Sequence, residues 1–216
     1  MREPSSWDVY LVTDRGLSRG RSTLEVVQAS VYGGVSVVQL REKDLPTRRF
    51  YEEGLKIREF LKSHGVPLII NDRIDLALAL DADGVHVGQD DMPVQIARRI
   101  LGPDKILGLS LNEPEQIDRA ALVHADYLAV SPVFHTATKE DITSPWGLEG
   151  VSEARLRTEL PLVGIGSMNH ENARAVIKAG ADCIAVVSAI VSADDPQRAA
   201  RRLLEEVRAG KQERLV

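Results

Sequence analysis

The sequence predicts an α/β protein, a single (β/α)8 TIM barrel, and three observations support this prediction. Short apolar segments typical of strands alternate with amphipathic segments typical of helices, eight of each, along the 216 residues. The strand segments are apolar on both faces, as parallel strands are when helices cover one side and a barrel interior the other. No G-x-G-x-x-G motif follows the first strand, which favours a closed barrel over an open doubly wound sheet.

The eight units follow one another without a linker, so we expect one domain spanning residues 1–216. Polar residues mark the strand ends, and glycines such as Gly65 mark helix ends. The predicted strands are residues 10–14, 37–43, 67–70, 84–88, 106–109, 127–130, 162–165 and 183–187. The predicted helices are residues 23–31, 47–64, 75–80, 94–100, 113–123, 148–160, 170–179 and 196–207. Residues 1–6 and 210–216 are expected to be a flexible leader and tail.

Composition and charge exclude several classes of protein. A net charge of −5 argues against general affinity for nucleic acid, and no apolar run is long enough to span a membrane. The first residues lack the apolar core of a signal peptide, so a cytoplasmic location is expected. Cys183 is the single cysteine, and its apolar surroundings predict a buried thiol without an intrachain disulfide. Small molecules are the expected partners, and the oligomeric state stays open, a homo-oligomer included.

The second strand carries an unusual set of polar side chains at its end. Gln39, Arg41 and Lys43 are two residues apart, so they share one face of an extended chain. An amide and two cations on one face suit the binding of an anion. Taken alone, this stretch is better explained as a strand end in water, where charged side chains usually lie.

In (β/α)8 barrels the active site forms at the carboxyl ends of the strands, and polar residues collect at those ends here. They are Gln39, Arg41, Lys43, Asn71, Asp72, Gln89, Asp91, Ser110, Thr136, Thr138, Lys139, Gly166, Ser167 and Ser188. The opposite strand ends carry ordinary turn residues such as Gly33 and Pro161. Each polar residue alone could be a cap or turn residue, but together they predict a site on one rim.

Three parts of this rim have distinct chemistry. Arg41, Lys43 and Lys139 provide positive charge suited to a diphosphate. Asp72 and Asp91 follow adjacent strands, and Mg²⁺ is often held by one or two carboxylates together with water and phosphate oxygens. The alternative role of each aspartate is that of a helix cap or turn residue, and Asp72 could also pair with the next residue, Arg73. The ends of strands seven and eight, with their backbone N–H groups and a helix N-terminus, suit a single phosphate.

The motifs at these positions resemble the thiamine-phosphate synthase family over nearly the whole chain. They are residues 10–14 (YLVTD), 38–43 (VQLREK), 71–73 (NDR), 84–91 (GVHVGQDD), 132–139 (PVFHTATK), 179–182 (AGAD) and 187–190 (VSAI). Each motif is weak alone, but their order and their positions at strand ends make the resemblance specific.

The resemblance implies a Mg²⁺-assisted condensation of hydroxymethylpyrimidine diphosphate with thiazole phosphate, giving thiamine phosphate and pyrophosphate. It implies that the catalytic residues are Arg41, Lys43, Ser110 and Lys139, and that the metal ligands are Asp72 and Asp91. Gln39 and Asn71 would contact the pyrimidine. The thiazole phosphate would bind among Thr136, Thr138, Ser167, Val187 and Ser188.

Two features separate this chain from its rivals and from the usual family pattern. A thiazole tautomerase of the same superfamily tends to lose the paired carboxylates and the lysine of the sixth loop, whereas Asp72, Asp91 and Lys139 are all present. A non-catalytic barrel that binds a phosphate ligand would be expected to lose part of the charged set.

Ser167 stands where glycine is usual, so a positive φ there would strain the backbone. His86, within the fourth strand, is expected to pack in the core.

Overall fold

Eight parallel strands form a closed barrel in sequence order, which confirms the predicted fold. The structure is a computed structural model, and it describes residues 3–117, 125–135 and 145–214. The strands are β1 Val9–Val12, β2 Val37–Leu40, β3 Leu68–Asn71, β4 Gly84–Val87, β5 Ile106–Leu111, β6 Tyr127–Val130, β7 Leu162–Ile165 and β8 Cys183–Val186. β8 pairs with β1, which closes the barrel.

Helices surround the barrel within the described residues. They are α1 Thr23–Tyr32, α2 Thr47–Ser63, α3 Ile74–Ala79, α4 Val94–Leu101, α5 Gly147–Arg157, α6 Ala173–Lys178, α7 Ser188–Val191 and α8 Pro196–Arg214. The short helix α7 was not predicted, and the helix predicted at residues 113–123 lies in part outside the described residues. None of the helices in the described ranges is long and apolar enough to cross a membrane.

Two apolar layers form the core, because strand residues alternate between the barrel interior and the helix layer. The interior layer includes Tyr10, Val37, Tyr127 and Cys183, all buried. The outer layer lies between sheet and helices and contains most of the leucine, valine and isoleucine side chains. Burial raises the pKa of the Cys183 thiol well above its usual value, as expected of an inert core cysteine.

The amino-terminal end of the barrel is closed by Trp7, which is fully buried against two interior tyrosines. Lys211 of α8 secures this end, since its Nζ donates to the Trp7 carbonyl at 2.9 Å and to Asp8 Oδ1 at 2.7 Å. Arg214 donates to the Ala181 carbonyl at 2.9 Å. These bonds hold the end of α8, which is helical to Arg214, within the segment where a flexible tail was expected.

Candidate active site

A cavity of about 330 Å³ lies at the carboxyl ends of the strands. All the predicted site residues within the described ranges line it: Gln39, Arg41, Lys43, Asn71, Asp72, Asp91, Ser110, Ser167, Val187 and Ser188. Thr136, Thr138 and Lys139 lie outside the described residues. The cavity joins the cation-bearing end of β2 to the ends of β7 and β8, and the individual roles of these residues remain predictions.

The cation side of the cavity is organised by β1 and β2. The Arg41 backbone N–H donates to Thr13 Oγ1 at 2.9 Å, and the Thr13 N–H donates to the Gln39 carbonyl at 3.0 Å. The Arg41 guanidinium lies 3.6 Å from an Asp14 carboxylate oxygen. Thr13 and Asp14 therefore hold Arg41 at the rim. Neither was predicted as a site residue, although Asp14 lies two residues after β1 and so on the same rim as the other candidates.

Asp72 has an unusual backbone conformation directly after β3, with a φ of 59°. Aspartate tolerates this left-handed region better than most residues. The Asp72 N–H donates to the His86 carbonyl at 2.9 Å, and Asn71 Nδ2 donates to Asp72 Oδ2 at 2.6 Å. Asp72 neither caps α3 nor pairs with Arg73, because α3 has no side-chain cap and Arg73 pairs with Asp75 at 2.6 Å. The strained turn is instead used to direct the carboxylate into the cavity.

Asp72 and Asp91 lie side by side across the ends of β3 and β4. The Gly88 N–H donates to Asp91 Oδ2 at 2.7 Å, which holds that carboxylate in place. Burial, followed by a hydrogen bond and charge repulsion from Asp91, raises the pKa of Asp72 from 3.8 to about 6, against the opposing effect of Lys43 and Arg41. The two carboxylates therefore share one part of the cavity wall with Arg41 and Lys43.

The far side of the cavity is formed by the turn after β7. Gly166 has a φ of 110°, and a Cβ there would lie 2.6 Å from Pro132 Cβ, so only glycine fits. Ser167 follows with a φ of 51°. This positive φ is the one predicted from the usual glycine at this position, and it strains the backbone of a serine. Its hydroxyl donates to the His135 carbonyl, and its carbonyl accepts from Asn172 Nδ2 at 3.0 Å. These bonds hold a serine in a backbone conformation that favours glycine.

The floor of the cavity contains buried polar groups that strand periodicity alone did not single out. His86 is buried as expected, but it also lines the cavity and lies 2.9 Å from both Ser110 Oγ and the Tyr127 hydroxyl. Tyr10 and Tyr127 lie below it, 2.9 Å apart at their hydroxyls. A signal existed for the two tyrosines, since a phenol at an interior strand position needs a hydrogen-bond partner.

A (β/α)8 barrel with cations, adjacent carboxylates and a glycine turn around one cavity is typical of enzymes that act on small molecules. Comparison with known proteins narrows this class. The chain belongs to the thiamine monophosphate synthase family, whose model matches residues 9–190. This confirms the family predicted from the motifs.

Individual relatives agree with this assignment. The chain is 53% identical over 197 residues to a thiamine-phosphate synthase of Chloroflexus aurantiacus, covering 91% of each chain. It is 52% identical over 201 residues to that of Albidiferax ferrireducens, covering 93% of this chain and 92% of the relative. Among solved structures, a thiamine phosphate pyrophosphorylase from Pyrococcus furiosus superposes with a TM-score of 0.89 at 36% identity, covering 96% of this chain and 98% of that one. A 3-hexulose-6-phosphate synthase, at 18% identity and a TM-score of 0.70, shares the fold.

Proposed function

We propose that this chain is a transferase that joins hydroxymethylpyrimidine diphosphate to thiazole phosphate, giving thiamine phosphate and pyrophosphate. The observation that carries the proposal is a single cavity with two ends of different character. One end has two cations beside two carboxylates, and the other has the glycine turn after β7 and the start of α7. Two such ends suit two phosphorylated substrates, and the relatives named thiamine-phosphate synthase support this reading.

The diphosphate is assigned to Arg41 and Lys43. Both side chains line the cavity, and both lower the pKa of Asp72 by their charge, so they lie close enough to act on the same anion. Arg41 offers a planar set of donors for phosphate oxygens, whereas Lys43 offers a compact charge at the exposed end of the loop. Lys139 belongs to this group on the basis of the sequence motif alone.

The carboxylate pair fits Mg²⁺. Among the described residues no cluster of three or more potential ligand side chains occurs, and Mg²⁺ needs only one or two carboxylates when substrate phosphates and water complete its shell. Burial and then the neighbouring Asp91 raise the pKa of Asp72, although Lys43 and Arg41 act in the opposite direction. Asp72 and Asp91 would hold the ion, which when bound would neutralise charge developing on the departing pyrophosphate.

The chemistry assigned to the protein is positioning and charge stabilisation. The bond between the pyrimidine methylene carbon and the diphosphate oxygen breaks, and its electrons leave with pyrophosphate. The thiazole nitrogen then donates its lone pair to that carbon, forming the new carbon–nitrogen bond. Arg41 and Lys43 stabilise the leaving group, while Gln39, Asn71 and Ser110 orient the pyrimidine ring. No protein nucleophile or general base is required, because the substrates bring both reacting groups.

The thiazole phosphate is assigned to the ends of β7 and β8. Gly166 lines this end of the cavity and packs against Pro132, where a Cβ would lie 2.6 Å from Pro132 Cβ. Ser167, Val187 and Ser188 line this end of the cavity. Thr136 and Thr138 complete the assignment from the sequence motif, and they lie outside the described residues.

The decisive assay is pyrophosphate release by the purified protein with Mg²⁺ present. We expect release only when both heterocyclic substrates are supplied. Isomerisation of the thiazole without the pyrimidine diphosphate would contradict the proposal and support a tautomerase. For the metal assignment, Asp72→Asn and Asp91→Asn should each lower kcat by at least about a hundredfold.

The matched control for those two variants is Asp104→Asn. Asp104 is an exposed aspartate in the loop before β5, at the opposite end of the barrel. It should retain wild-type turnover. Full activity in both Asp72→Asn and Asp91→Asn would overturn the metal assignment while leaving the condensation itself testable with wild-type protein.

A further inference from the structure

Five side chains from five strands form one hydrogen-bonded chain beneath the cavity. Gln39 Nε2 donates to the Tyr10 hydroxyl at 2.8 Å, and that hydroxyl lies 2.9 Å from the hydroxyl of Tyr127. The Tyr127 hydroxyl lies 2.9 Å from His86 Nδ1, and His86 Nε2 lies 2.9 Å from Ser110 Oγ. All five residues are buried. This chain is called the relay below.

The direction of every bond in the relay follows from its first member. An amide nitrogen can only donate, so Tyr10 accepts from Gln39 and its own proton goes to Tyr127. Tyr127 then donates to His86 Nδ1, which places the imidazole proton on Nε2, facing Ser110. If the bonds ran the other way, Tyr10 would donate to the side-chain oxygen of Gln39. The structure instead has the side-chain nitrogen of Gln39 facing Tyr10.

Both phenols remain protonated, because burial raises the pKa of Tyr10 and of Tyr127 well above the ordinary value. Each therefore has one proton to give and can accept another. Of the five residues, Gln39, His86 and Ser110 line the cavity, whereas the two tyrosines do not. The relay thus connects opposite sides of the pocket through residues that no ligand in the cavity reaches.

We propose that Tyr127 is a positioning residue that sets which hydrogen-bonding groups the pocket presents to the pyrimidine. With the relay intact, the Gln39 carbonyl oxygen is left as an acceptor for the cavity. Ser110 Oγ accepts from His86, so its own O–H is left as a donor. An acceptor and a donor on separate strands recognise a heterocycle with an exocyclic amino group and a ring nitrogen. The inference rests on the proposed function only in the identity of that heterocycle.

Removing one hydroxyl changes the pattern without touching the ligand. In Tyr127→Phe, the Tyr10 proton loses its acceptor, and the side-chain amide of Gln39, which already contacts the Tyr10 hydroxyl, carries an oxygen that can replace it. The amide turns over to accept that proton, and its NH2 group then faces the cavity. The pocket would lose its preference for an amino group and tolerate an oxo group at the same ring position.

The order of the relay can be tested without substrate. Nitrogen-15 spectra of histidine-labelled wild-type protein report the ring tautomer, and a His86→Asn variant assigns its signals among the five histidines. We expect a neutral His86 ring with the proton on Nε2. A proton on Nδ1 would overturn the proposed direction of the hydrogen bonds in the relay.

Substrate selectivity tests the predicted effect of the relay on the hydrogen-bonding groups of the pocket. The specificity constants of the 4-amino pyrimidine diphosphate and its 4-oxo analogue are compared in wild type, Tyr127→Phe and Tyr10→Phe. We expect both variants to reduce the amino-over-oxo ratio about tenfold, the effect of one hydrogen bond, with KM for thiazole phosphate unchanged. Tyr32→Phe, which alters an exposed tyrosine on α1, is the control and should keep the wild-type ratio.

The outcomes separate this inference from the proposed function. An unchanged ratio in folded Tyr127→Phe and Tyr10→Phe would overturn the positioning role, as would equal losses of kcat/KM for both analogues. If wild-type protein does not condense the two substrates, the proposed function fails, whereas the His86 tautomer still decides the order of the relay.

Discussion

Asp72→Asn should make the protein more stable and less active at the same time. In the metal-free protein the Asp72 carboxylate is held next to that of Asp91, and its pKa is raised from 3.8 to about 6. The folded state therefore binds the proton more tightly than the unfolded state does. Stability is lost as pH rises from 3.8 to about 6, and the penalty is fully present at pH 8.

The size of the effect follows from the pKa. At ~1.36 kcal/mol per pH unit, the rise from 3.8 to about 6 corresponds to ~3 kcal/mol. Because the Asp72 side chain is only partly buried, solvent screening reduces this to about 1 kcal/mol. Asparagine keeps the shape and tolerates a φ of 59°, and its side-chain oxygen can still accept from Asn71. The substitution thus removes the charge with little other change.

Thermal unfolding at two pH values is the assay. At pH 8 without metal, Asp72→Asn should raise Tm by roughly 2–4 °C, the shift that about 1 kcal/mol produces in a chain of this size. At pH 4 the two proteins should melt within about 1 °C of each other, because Asp72 is then protonated in the folded wild type. Adding Mg²⁺ with pyrophosphate should stabilise wild type more than the variant.

Two results would refute this reasoning. One is a variant that melts below wild type by the same amount at both pH values, since the charge would then be irrelevant. The other is equal stabilisation of both proteins by Mg²⁺ and pyrophosphate, since Asp72 would then not contribute to the metal site. Asp104→Asn, with its exposed carboxylate, should match wild type in every condition.

Two further substitutions test the steric arguments. Gly108→Ala should destabilise the protein by about 1–3 kcal/mol, measured by urea unfolding, because its Cβ would lie 2.3 Å from the Tyr127 hydroxyl and 2.5 Å from His86 Nδ1. Unchanged stability would show that Tyr127 and His86 can move to accommodate the added methyl group. Ser167→Gly should be more stable than Ser167→Ala by about 1 kcal/mol, since both lose the hydroxyl but only alanine keeps the strain at a φ of 51°. If Ser167→Ala were the more stable of the two variants, the backbone at this position would not be strained.

The barrel fold and the residues on its rim could be predicted from the sequence, because both depend on local patterns. Strand periodicity and the residue after each strand place Gln39, Arg41 and Asp91 without knowledge of neighbours. The strained serine was also foreseeable, since a family that usually has glycine at that position implies a positive φ.

The relay could not be predicted, because it depends on contacts across the barrel interior. Tyr10 and Tyr127 read as ordinary aromatic residues of apolar strands, and the sequence does not say which strands face one another at a given height. His86 was expected to pack in the core, which its burial bears out, but its two polar neighbours come from β5 and β6. The positive φ of Asp72 likewise depends on the turn between β3 and α3.

The hydrogen bond between Tyr10 and Tyr127 joins residues 117 positions apart in the chain. It therefore closes a long loop of chain, and the buried contacts of β1 with the far side of the barrel must offset the entropy lost in closing it. A chain ending before β6 would keep the cationic and acidic rim of β2 to β4 but would lack Tyr127, the central member of the relay. The floor of the cavity is therefore complete only when β6 has docked beside β5.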